Sequence, residues 1–287
     1  MKRKWLLLMI SIMTAIVLAA CGTSDKKEEG SGDAGADSEE GGGEFRIGME
    51  AGYPPFNWTQ QGDANGAVKI ADNAEYAGGY DVQMAKKIAE GLGKELVIVK
   101  MEWDGLVPAL QSNKIDAIIA GMSPTEERKQ TIDFTENYYT SDFVIVVKKG
   151  SEFEKATSIQ DFSGAKITSQ LNTSNYNVID QIEGVEKQTA MENFPAMRVA
   201  LEAGKIDGYV AERPEGISAA AANDKFSYVS FEENKGFETD LSNTSIAVGL
   251  RKDDANLDKI NEILQGISED ERQQIMEDAI KQQPAAQ

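Results

Sequence analysis

Lys-Ile-Asp-Ala-Ile-Ile-Ala-Gly-Met-Ser-Pro-Thr-Glu-Glu-Arg, residues 114–128, carries three local signals in succession. The apolar, β-branched segment 115–120 is typical of a buried parallel strand. Gly121 follows and permits a tight turn. Ser123 has the position of a helix N-cap, Pro124 that of the first helical residue and Glu126 that of the capping-box partner. The stretch therefore predicts a strand, a glycine turn and the N-terminus of a helix.

Arg128 falls early in this predicted helix, where the helix dipole disfavours a positive charge. The N–H groups at a helix N-terminus readily bind anions. A cation placed against the dipole therefore favours an anion-binding site, to which Gly121, Met122, Ser123 and Arg128 would contribute. The competing interpretation is a surface arginine paired with an Asp or a Glu.

The composition excludes several function classes. The 287 residues carry a formal net charge of −19, so we expect no nucleic-acid partner, which would need clustered Lys and Arg. The chain has no histidine, which removes Ser-His-Asp and Cys-His nucleophile systems and the commonest transition-metal ligand. A single cysteine excludes internal disulfides and cysteine-rich zinc sites. We expect no metal and no cofactor, whereas catalysis by carboxylates or lysines stays open.

The N-terminus has the pattern of an export signal. Basic residues 2–4 precede an apolar run over residues 5–20, which is shorter than the roughly 20 residues that span a membrane. Leu18-Ala19-Ala20-Cys21 resembles a bacterial lipobox, in which cleavage before the cysteine is followed by acylation of its thiol. We expect residues 1–20 to be a lipoprotein signal peptide and Cys21 to carry the lipid. The alternative is a simple signal-peptidase site with an incidental cysteine.

Residues 21–44 are mostly glycine, serine and acidic residues, with few apolar side chains. Such a segment cannot bury enough surface to offset its ordering entropy, so it predicts a flexible acidic tether. We therefore expect the protein at the extracytoplasmic face of the bacterial cell membrane, lipid-anchored through Cys21.

Beyond residue 45, apolar strand patterns alternate with amphipathic helix patterns. This alternation predicts an α/β fold with a largely parallel sheet. Glu50, Trp103 and residues 121–123 each follow a predicted strand, at the edge where such sheets bind their ligands. We expect these residues to line one cleft.

Two loops carry groups suited to binding. Tyr53-Pro-Pro-Phe-Asn-Trp58 is held extended by its prolines and displays aromatic rings, although loop aromatics also pack as lids on a core. Residues 60–77 after it are predicted to have little structure of their own. Gln170-Leu-Asn-Thr-Ser-Asn175 predicts a second strand-to-helix junction, and the alternative is an ordinary capped helix. Its candidate ligand contacts are Gln170, Thr173 and Ser174.

A short internal repeat links two distant parts of the chain. Leu110-x-x-x-Lys-Ile-Asp-Ala117 recurs as Leu201-x-x-x-Lys-Ile-Asp-Gly208, and in this register Trp103 aligns with Phe194. Two similar lobes are therefore predicted, with Gly121 aligned to Glu212. If the lobes face each other, Arg128 and Glu212 lie across one cleft and suit a zwitterion. Glu212 could instead pair with the adjacent Arg213.

Short motifs run in order through the body of the chain. They are Tyr53-Pro-Pro-Phe56, Gly79-Tyr-Asp-Val82, Trp103-Asp-Gly-Leu-Val-Pro-Ala-Leu110, Lys114-Ile-Asp-Ala-Ile-Ile-Ala-Gly-Met-Ser123, Glu127-Arg128, Asp133-Phe134, Tyr138-Tyr139 and Val248-Gly-Leu-Arg-Lys252. Each motif alone would be weak. Together they resemble the family 3 extracellular solute-binding proteins, the amino-acid receptors of bacterial ABC importers, from Phe45 to the C-terminus.

The resemblance implies a two-lobed periplasmic-binding-protein-like (type II) fold with a hinge. Each lobe would hold a mixed, mostly parallel sheet flanked by helices, and the chain would cross between lobes near Thr140 and near residues 241–244. We expect residues 45–142 plus 244–287 to form lobe 1 and residues 143–243 to form lobe 2. The expected partners are an amino-acid ligand and an ABC transporter permease, and the chain is expected to be a monomer.

The resemblance also implies roles at the site. The residue at Arg128 grips the ligand's α-carboxylate, assisted by amides at Ser123 and at Thr173-Ser174. A carbonyl near Gly121 and the acid at Glu212 take the α-ammonium, and Tyr53 and Trp103 flank the side chain. Two positions depart from the family pattern, because Glu212 stands where aspartate is usual and Asn172 where glycine is common.

The leading hypothesis is a receptor that binds a free amino acid, polar or basic, and delivers it to an importer. Glu50 would attract a basic side chain, held also by π contact with Tyr53, Trp58 and Trp103. Glu50 could instead bond to its surrounding loop. The competing hypotheses are a dehydratase-like enzyme, with Glu50 and Glu212 as acid or base, and a sensory module that acts in trans.

Overall fold

The computed structural model describes residues 42–284. The predicted signal peptide, Cys21 and most of the predicted tether lie outside the described residues. The first strand begins at Glu44, the last residue assigned to the tether. Within the described part of the chain, no helix combines the length and the apolar character that crossing a membrane requires.

The described chain contains fourteen strands and nine α-helices. The strands are β1 Glu44–Met49, β2 Gly52–Tyr53, β3 Asn57–Gln60, β4 Val68–Lys69, β5 Tyr76–Gly78, β6 Glu95–Lys100, β7 Ala117–Ile118, β8 Asp133–Thr140, β9 Phe143–Lys148, β10 Lys166–Thr168, β11 Glu186–Lys187, β12 Gly208–Glu212, β13 Phe226–Val229 and β14 Ser245–Leu250. The helices are α1 Tyr80–Gly91, α2 Leu106–Gln111, α3 Glu126–Lys129, α4 Ser174–Asn177, α5 Phe194–Glu202, α6 Arg213–Ala222, α7 Leu241–Thr244, α8 Leu257–Gln265 and α9 Glu269–Gln282.

Two five-stranded sheets organise the fold, and both have the same topology. The first has the order β6-β1-β7-β14-β8 and the second the order β11-β10-β12-β9-β13. In each sheet the first three strands pair in parallel and the last two pair antiparallel. We call the first sheet with its helices the first lobe, and the second sheet with its helices the second lobe. The expected mixed α/β, two-lobed architecture is confirmed, with parallel and antiparallel pairings equally represented.

The internal repeat marks the centre of each sheet. β7 follows Lys114-Ile-Asp116 and β12 follows Lys205-Ile-Asp207, and each strand is the third in its sheet. The Asp116 carboxylate accepts a hydrogen bond from the Arg46 backbone N–H at 2.9 Å, and the Asp207 carboxylate accepts one from the Lys166 backbone N–H at 2.8 Å. The repeated aspartate therefore aligns the central strand with its parallel neighbour in both lobes.

The strand predicted over residues 115–120 is shorter in the sheet than expected. Only Ala117 and Ile118 form the strand, although every residue of the segment except the half-buried Asp116 is buried. The prediction that residues 60–77 lack structure is wrong. β4 and β5 within this region join β2 and β3 in a small antiparallel sheet, and Ile70 is buried against β6 through a bridge to Ile98. β4 and β5 have only two and three residues, which is too short for an alternating pattern to identify them as strands from the sequence.

The chain passes between the two sheets in two places that lie side by side. The first passage joins β8 to β9 and the second joins β13 to β14 through α7. Ser245 pairs with Thr140, and the Ser141 N–H donates to the Thr244 carbonyl at 3.0 Å. The two passages therefore form a narrow, hydrogen-bonded connection, and the lobes can rotate about it.

A buried ion pair anchors β12, the strand that ends at the predicted site. The guanidinium of Arg198 donates to both carboxylate oxygens of Glu215, at 3.0 and 2.7 Å, and the Tyr209 hydroxyl donates to the same carboxylate at 2.8 Å. Glu215 is fully buried. Burial raises the pKa of Glu215, and the charge of Arg198 opposes this rise.

We predict that Arg198→Met destabilises the protein by about 3–5 kcal/mol, because it leaves a carboxylate buried without its cation. Lys259→Met is the control, since the Lys259–Glu262 pair is exposed and its loss costs about 0–1 kcal/mol. Denaturant unfolding of both variants measures the free energies of unfolding. Equal losses in the two variants would contradict the structural role of this pair.

Candidate functional site

The carboxyl ends of β1, β7, β10 and β12 converge between the lobes, and the loops that follow these strands form the candidate site. The helix predicted after Gly121 is present, but its start is not where the sequence indicated. Thr125, not Ser123, is the N-cap of the four-residue helix α3, and its hydroxyl accepts the Arg128 N–H at 3.3 Å. Ser123 instead donates through its hydroxyl to the Asn243 carbonyl at 3.1 Å. The capping-box prediction is therefore wrong.

Arg128 lies at the centre of the site and connects the lobes. Its guanidinium donates to the Ser123 carbonyl at 2.9 Å in the first lobe and to the Asn172 carbonyl at 2.8 Å in the second. It also lies over the Trp103 ring, 5.1 Å from the ring centroid. Burial lowers the pKa of Arg128 to about 10, so the group keeps its charge at neutral pH. The alternative of a surface arginine paired with an acid is not what the structure shows.

Gly121 has a geometry that only glycine accommodates. Its φ is +64°, and a Cβ at this position would lie 3.0 Å from ring carbons of Tyr53. The buried carboxylate of Asp81 lies near the Gly121 backbone and accepts hydrogen bonds from Asn57 at 2.8 Å and from Tyr138 at 2.7 Å. Burial raises the pKa of Asp81 to about 6, and these hydrogen bonds oppose the rise. Asp81 therefore joins α1 to β3 and β8 near this turn.

Glu212 faces this turn from the end of β12, as the repeat predicted. The Tyr53 hydroxyl and the Asn175 amide, at 3.0 Å, both donate to one oxygen of its buried carboxylate. Burial raises the pKa of Glu212, and both hydrogen bonds oppose that rise. The alternative pairing with Arg213 does not occur, because Arg213 instead pairs with Asp142, with one contact at 2.7 Å.

Two site residues were not identified from sequence. The Phe194 ring stacks on the Tyr53 ring at a centroid distance of 4.0 Å and an angle of 14°. The alignment of Phe194 with Trp103 in the repeat was the signal that could have identified it. Asn175, the second partner of Glu212, belonged to the predicted cap cluster but was not assigned a role.

The second strand-to-helix junction forms as predicted. Thr173 is the N-cap of α4, and its hydroxyl accepts the Tyr176 N–H at 3.3 Å. The Ser174 hydroxyl donates to the Asn243 carbonyl at 3.2 Å, the same oxygen that Ser123 uses from the other lobe. Asn172 has a φ of +55°, a left-handed conformation that asparagine tolerates and glycine prefers. The departure from glycine at this position therefore preserves the loop shape.

Glu50 lies at the end of β1 and is 8% exposed. One carboxylate oxygen, Oε2, accepts the Gln170 side-chain amide at 2.9 Å, while Oε1 is buried with no hydrogen-bond partner among the described residues. Burial raises the pKa of Glu50 to about 7, and the nearby charges of Glu102 and Asp104 add to this rise. Glu50 is thus a carboxylate with an unused acceptor in an acidic environment.

Two separate cavities lie at the site, lined by neighbouring residues of the chain. The inner one is nearly closed, with a volume of about 10 Å³, and the wider groove beside it has a volume of about 670 Å³. Glu50 and Trp58 line the groove and not the inner cavity, and Met122 is packed in the core. The inner cavity is lined by Tyr53, Trp103, Gly121, Ser123, Arg128, Gln170, Thr173, Ser174, Asn175, Phe194 and Glu212.

The site has one cation, Arg128, and two carboxylates, Glu212 and Glu50. Aromatic rings lie between these charged groups. Arg128 can bind a carboxylate with two parallel hydrogen bonds, which fixes the orientation of that group. Glu212 and the turn at Gly121 offer acceptors to an ammonium group. This arrangement matches a small dipolar molecule.

Comparison with known proteins supports this chemistry. Residues 45–282 match the family described as bacterial extracellular solute-binding proteins, family 3. The arginine-binding extracellular protein ArtP of Bacillus subtilis (strain 168) is 29% identical over 270 residues, 91% of each chain. An amino acid ABC transporter substrate-binding protein from Streptococcus pneumoniae, bound to L-arginine, has a TM-score of 0.72 at 27% identity and covers 83% of this chain and 94% of its own.

A third similar protein is an ancestral arginine-binding protein bound to glutamine. Its TM-score is 0.66 at 30% identity, and the match covers 82% of this chain and 97% of that one. The family match extends over nearly the whole described body and includes every residue of the candidate site. The chain therefore belongs to the bacterial extracellular solute-binding proteins, family 3.

Proposed function

We propose that this protein binds a free basic amino acid between its lobes and delivers it to an ABC importer. The observation that carries the proposal is the placement of Arg128 and Glu212 on opposite lobes around one cavity. Arg128 would bind the α-carboxylate, and Glu212 with the turn at Gly121 would bind the α-ammonium. Both ends of a free amino acid then have a charged partner, which favours a single amino acid over longer peptides.

The preference for a basic side chain rests on Glu50. Its Oε1 atom is buried without a hydrogen-bond partner among the described residues, and an unused buried acceptor is costly. A guanidinium or ammonium group would supply the missing donor and compensate the acidic field of Glu102 and Asp104. Three similar proteins, from B. subtilis, from S. pneumoniae and from an ancestral reconstruction, are arginine-binding or arginine-bound by name.

Binding would require the lobes to part, because the inner cavity of about 10 Å³ is far smaller than an amino acid. The Arg128 contact to the Asn172 carbonyl and the Tyr53 contact to Glu212 would open, and the ligand's carboxylate and ammonium would replace them. Rotation about the paired passages between the sheets would then close the lobes over the ligand. The permease would recognise this ligand-stabilised closed form, which is a population shift.

The enzyme hypothesis has less support. Its candidate acid and base, Glu50 and Glu212, each hydrogen-bond to groups from the facing lobe, Gln170 and Tyr53. Both carboxylates thus have a part in closure and in ligand binding. The family is made up of solute-binding proteins.

The location of the protein follows from the N-terminal sequence. A basic start, an apolar run and Cys21 support export and lipid attachment to the extracytoplasmic face of the cell membrane. The acidic segment up to residue 44 would tether a monomeric receptor to that surface. The paired lobes would correspond to residues 45–142 plus 244–287 and residues 143–243.

A thermal-shift screen of the purified protein against the common amino acids tests the proposal. L-Arginine or another basic amino acid should raise Tm in a concentration-dependent manner, since a ligand that binds only the folded state stabilises it. Glutamine is the informative neutral competitor. Absence of a shift with every amino acid would reject the receptor function, and a shift with neutral amino acids alone would reject the basic preference.

We predict that Arg128→Lys weakens binding of L-arginine by at least about a hundredfold, because lysine cannot form the paired hydrogen bonds to a carboxylate. The matched control is Arg46→Lys, a substitution of an exposed arginine in β1. Calorimetric titration of both variants gives the dissociation constants. Full affinity in Arg128→Lys would show that the carboxylate binds elsewhere.

The raised pKa of Glu50 predicts a pH dependence. Below about pH 7 Glu50 takes up a proton and loses its attraction for a cation, so affinity for L-arginine should fall by up to about thirtyfold between pH 8 and pH 5.5. The stability of the ligand-free protein should depend on pH in the opposite direction to the affinity. The native carboxyl binds its proton more tightly than the unfolded one, so this group's contribution to the free energy of unfolding decreases as pH rises from 4.5 to about 7.

The Glu50→Gln variant is the control for both effects. Its affinity for L-arginine should be low at every pH, and the part of the pH dependence that comes from Glu50 should disappear from its unfolding curve. Titration calorimetry and denaturant unfolding across the pH range measure the two quantities. A wild-type affinity that stays constant between pH 5.5 and pH 8 would contradict the role of Glu50.

A further inference from the structure

The groove beside the inner cavity begins where the proposed ligand would end. Glu50 lines the groove, and its Oε2 accepts a hydrogen bond from Gln170, which lines the inner cavity, so this pair lies between the two spaces. The groove volume of about 670 Å³ exceeds that of the inner cavity, about 10 Å³, many times over. A basic group that binds Glu50 therefore lies at the opening of a large space.

The groove has walls from both lobes, and its lining combines apolar with polar groups. Trp58, Thr59 and Gln60 come from β3 of the first lobe, while Asn193 and Pro195 come from the start of α5 in the second. Trp58 is almost buried, with its indole N–H donated to Gln60 at 2.8 Å, so its ring forms a firm wall. The groove therefore suits a substituent with an apolar part that packs against the Trp58 ring.

The charges of the groove favour cationic or neutral groups. Glu50, Glu75 and Glu102 line it together with one ammonium group, that of Lys100. Lys100 donates to the Thr59 hydroxyl at 2.9 Å, and its single positive charge offsets only part of the negative charge of the three carboxylates. The Glu50 Oε1 atom has no hydrogen-bond partner among the described residues, so this buried carboxylate points to a cationic ligand.

We propose that the receptor accepts basic amino acids that carry a further substituent on the terminal side-chain nitrogen, with the substituent in this groove. The inference rests on the proposed function, since it assumes a carboxylate on Arg128 and a basic group on Glu50. It adds a class of ligand, which includes N-alkylated arginines and conjugates joined through the side chain. The α-amino end has no such space, because Tyr53, Asn175 and Glu212 enclose it.

Titration calorimetry with matched arginine derivatives tests the inference. Nω-Propyl-L-arginine should bind within about tenfold of L-arginine, whereas α-N-methyl-L-arginine, which places one methyl group in the enclosed end, should lose at least about a hundredfold. A loss of a hundredfold or more for the Nω-propyl derivative, with L-arginine still bound, would overturn the groove assignment and leave the proposed function standing. Absence of L-arginine binding would overturn the proposed function and the groove assignment with it.

Gly52→Leu provides a variant that narrows the groove. Gly52 lines it with an ordinary negative φ, and a Cβ there would meet only Glu50, at 3.8 Å from Cγ and 4.0 Å from the carbonyl oxygen. A Cβ atom therefore fits beside Glu50 without a clash, and the rest of the leucine side chain would take up space in the groove. We expect it to weaken Nω-propyl-L-arginine at least about tenfold more than L-arginine. An equal effect on both ligands would contradict the proposal, and Arg46→Lys again serves as the unaffected control.

Discussion

The guanidinium of Arg128 is the interaction on which the binding site depends. It is held from the first lobe by the Ser123 carbonyl and by the Trp103 ring, and from the second lobe by the Asn172 carbonyl. This half-buried cation has a carbonyl partner in each lobe when the lobes are together, and a ligand carboxylate can replace one of those partners. The same group therefore couples ligand binding to the relative position of the lobes.

The surroundings of Arg128 show how the fold supports this role. Near the turn at Gly121, Asp81 joins α1 to Asn57 and Tyr138, and the Arg198–Glu215 pair with Tyr209 anchors the strand that presents Glu212. Each lobe thus uses one buried carboxylate, away from the ligand, to position the backbone that meets the ligand. Burial raises the pKa of both carboxylates, and the hydrogen bonds that each one accepts oppose this rise and stabilise its charged form.

The sequence predicted the architecture because strong periodic signals and a repeat specify it. The Lys-Ile-Asp repeat identified the central strand of both sheets, and its register placed Glu212 opposite the turn at Gly121. The cap of α3 and the small sheet around residues 68–78 were not predicted. By residue type Ser123 is at least as good a cap as Thr125, but its hydroxyl donates to Asn243 in a tertiary contact that the sequence does not reveal. Asn175 was missed for the same reason, because its partner Glu212 lies on another strand.

The central claim is that the ligand is an amino acid whose two charged ends bind Arg128 and Glu212. A crystal structure of the protein with L-arginine tests it most directly. The account predicts the ligand's carboxylate on the Arg128 guanidinium with paired hydrogen bonds, its ammonium on Glu212, and its guanidinium on Glu50 at the opening of the groove. A ligand bound in the reverse orientation, or outside the space between Arg128 and Glu212, would contradict the account.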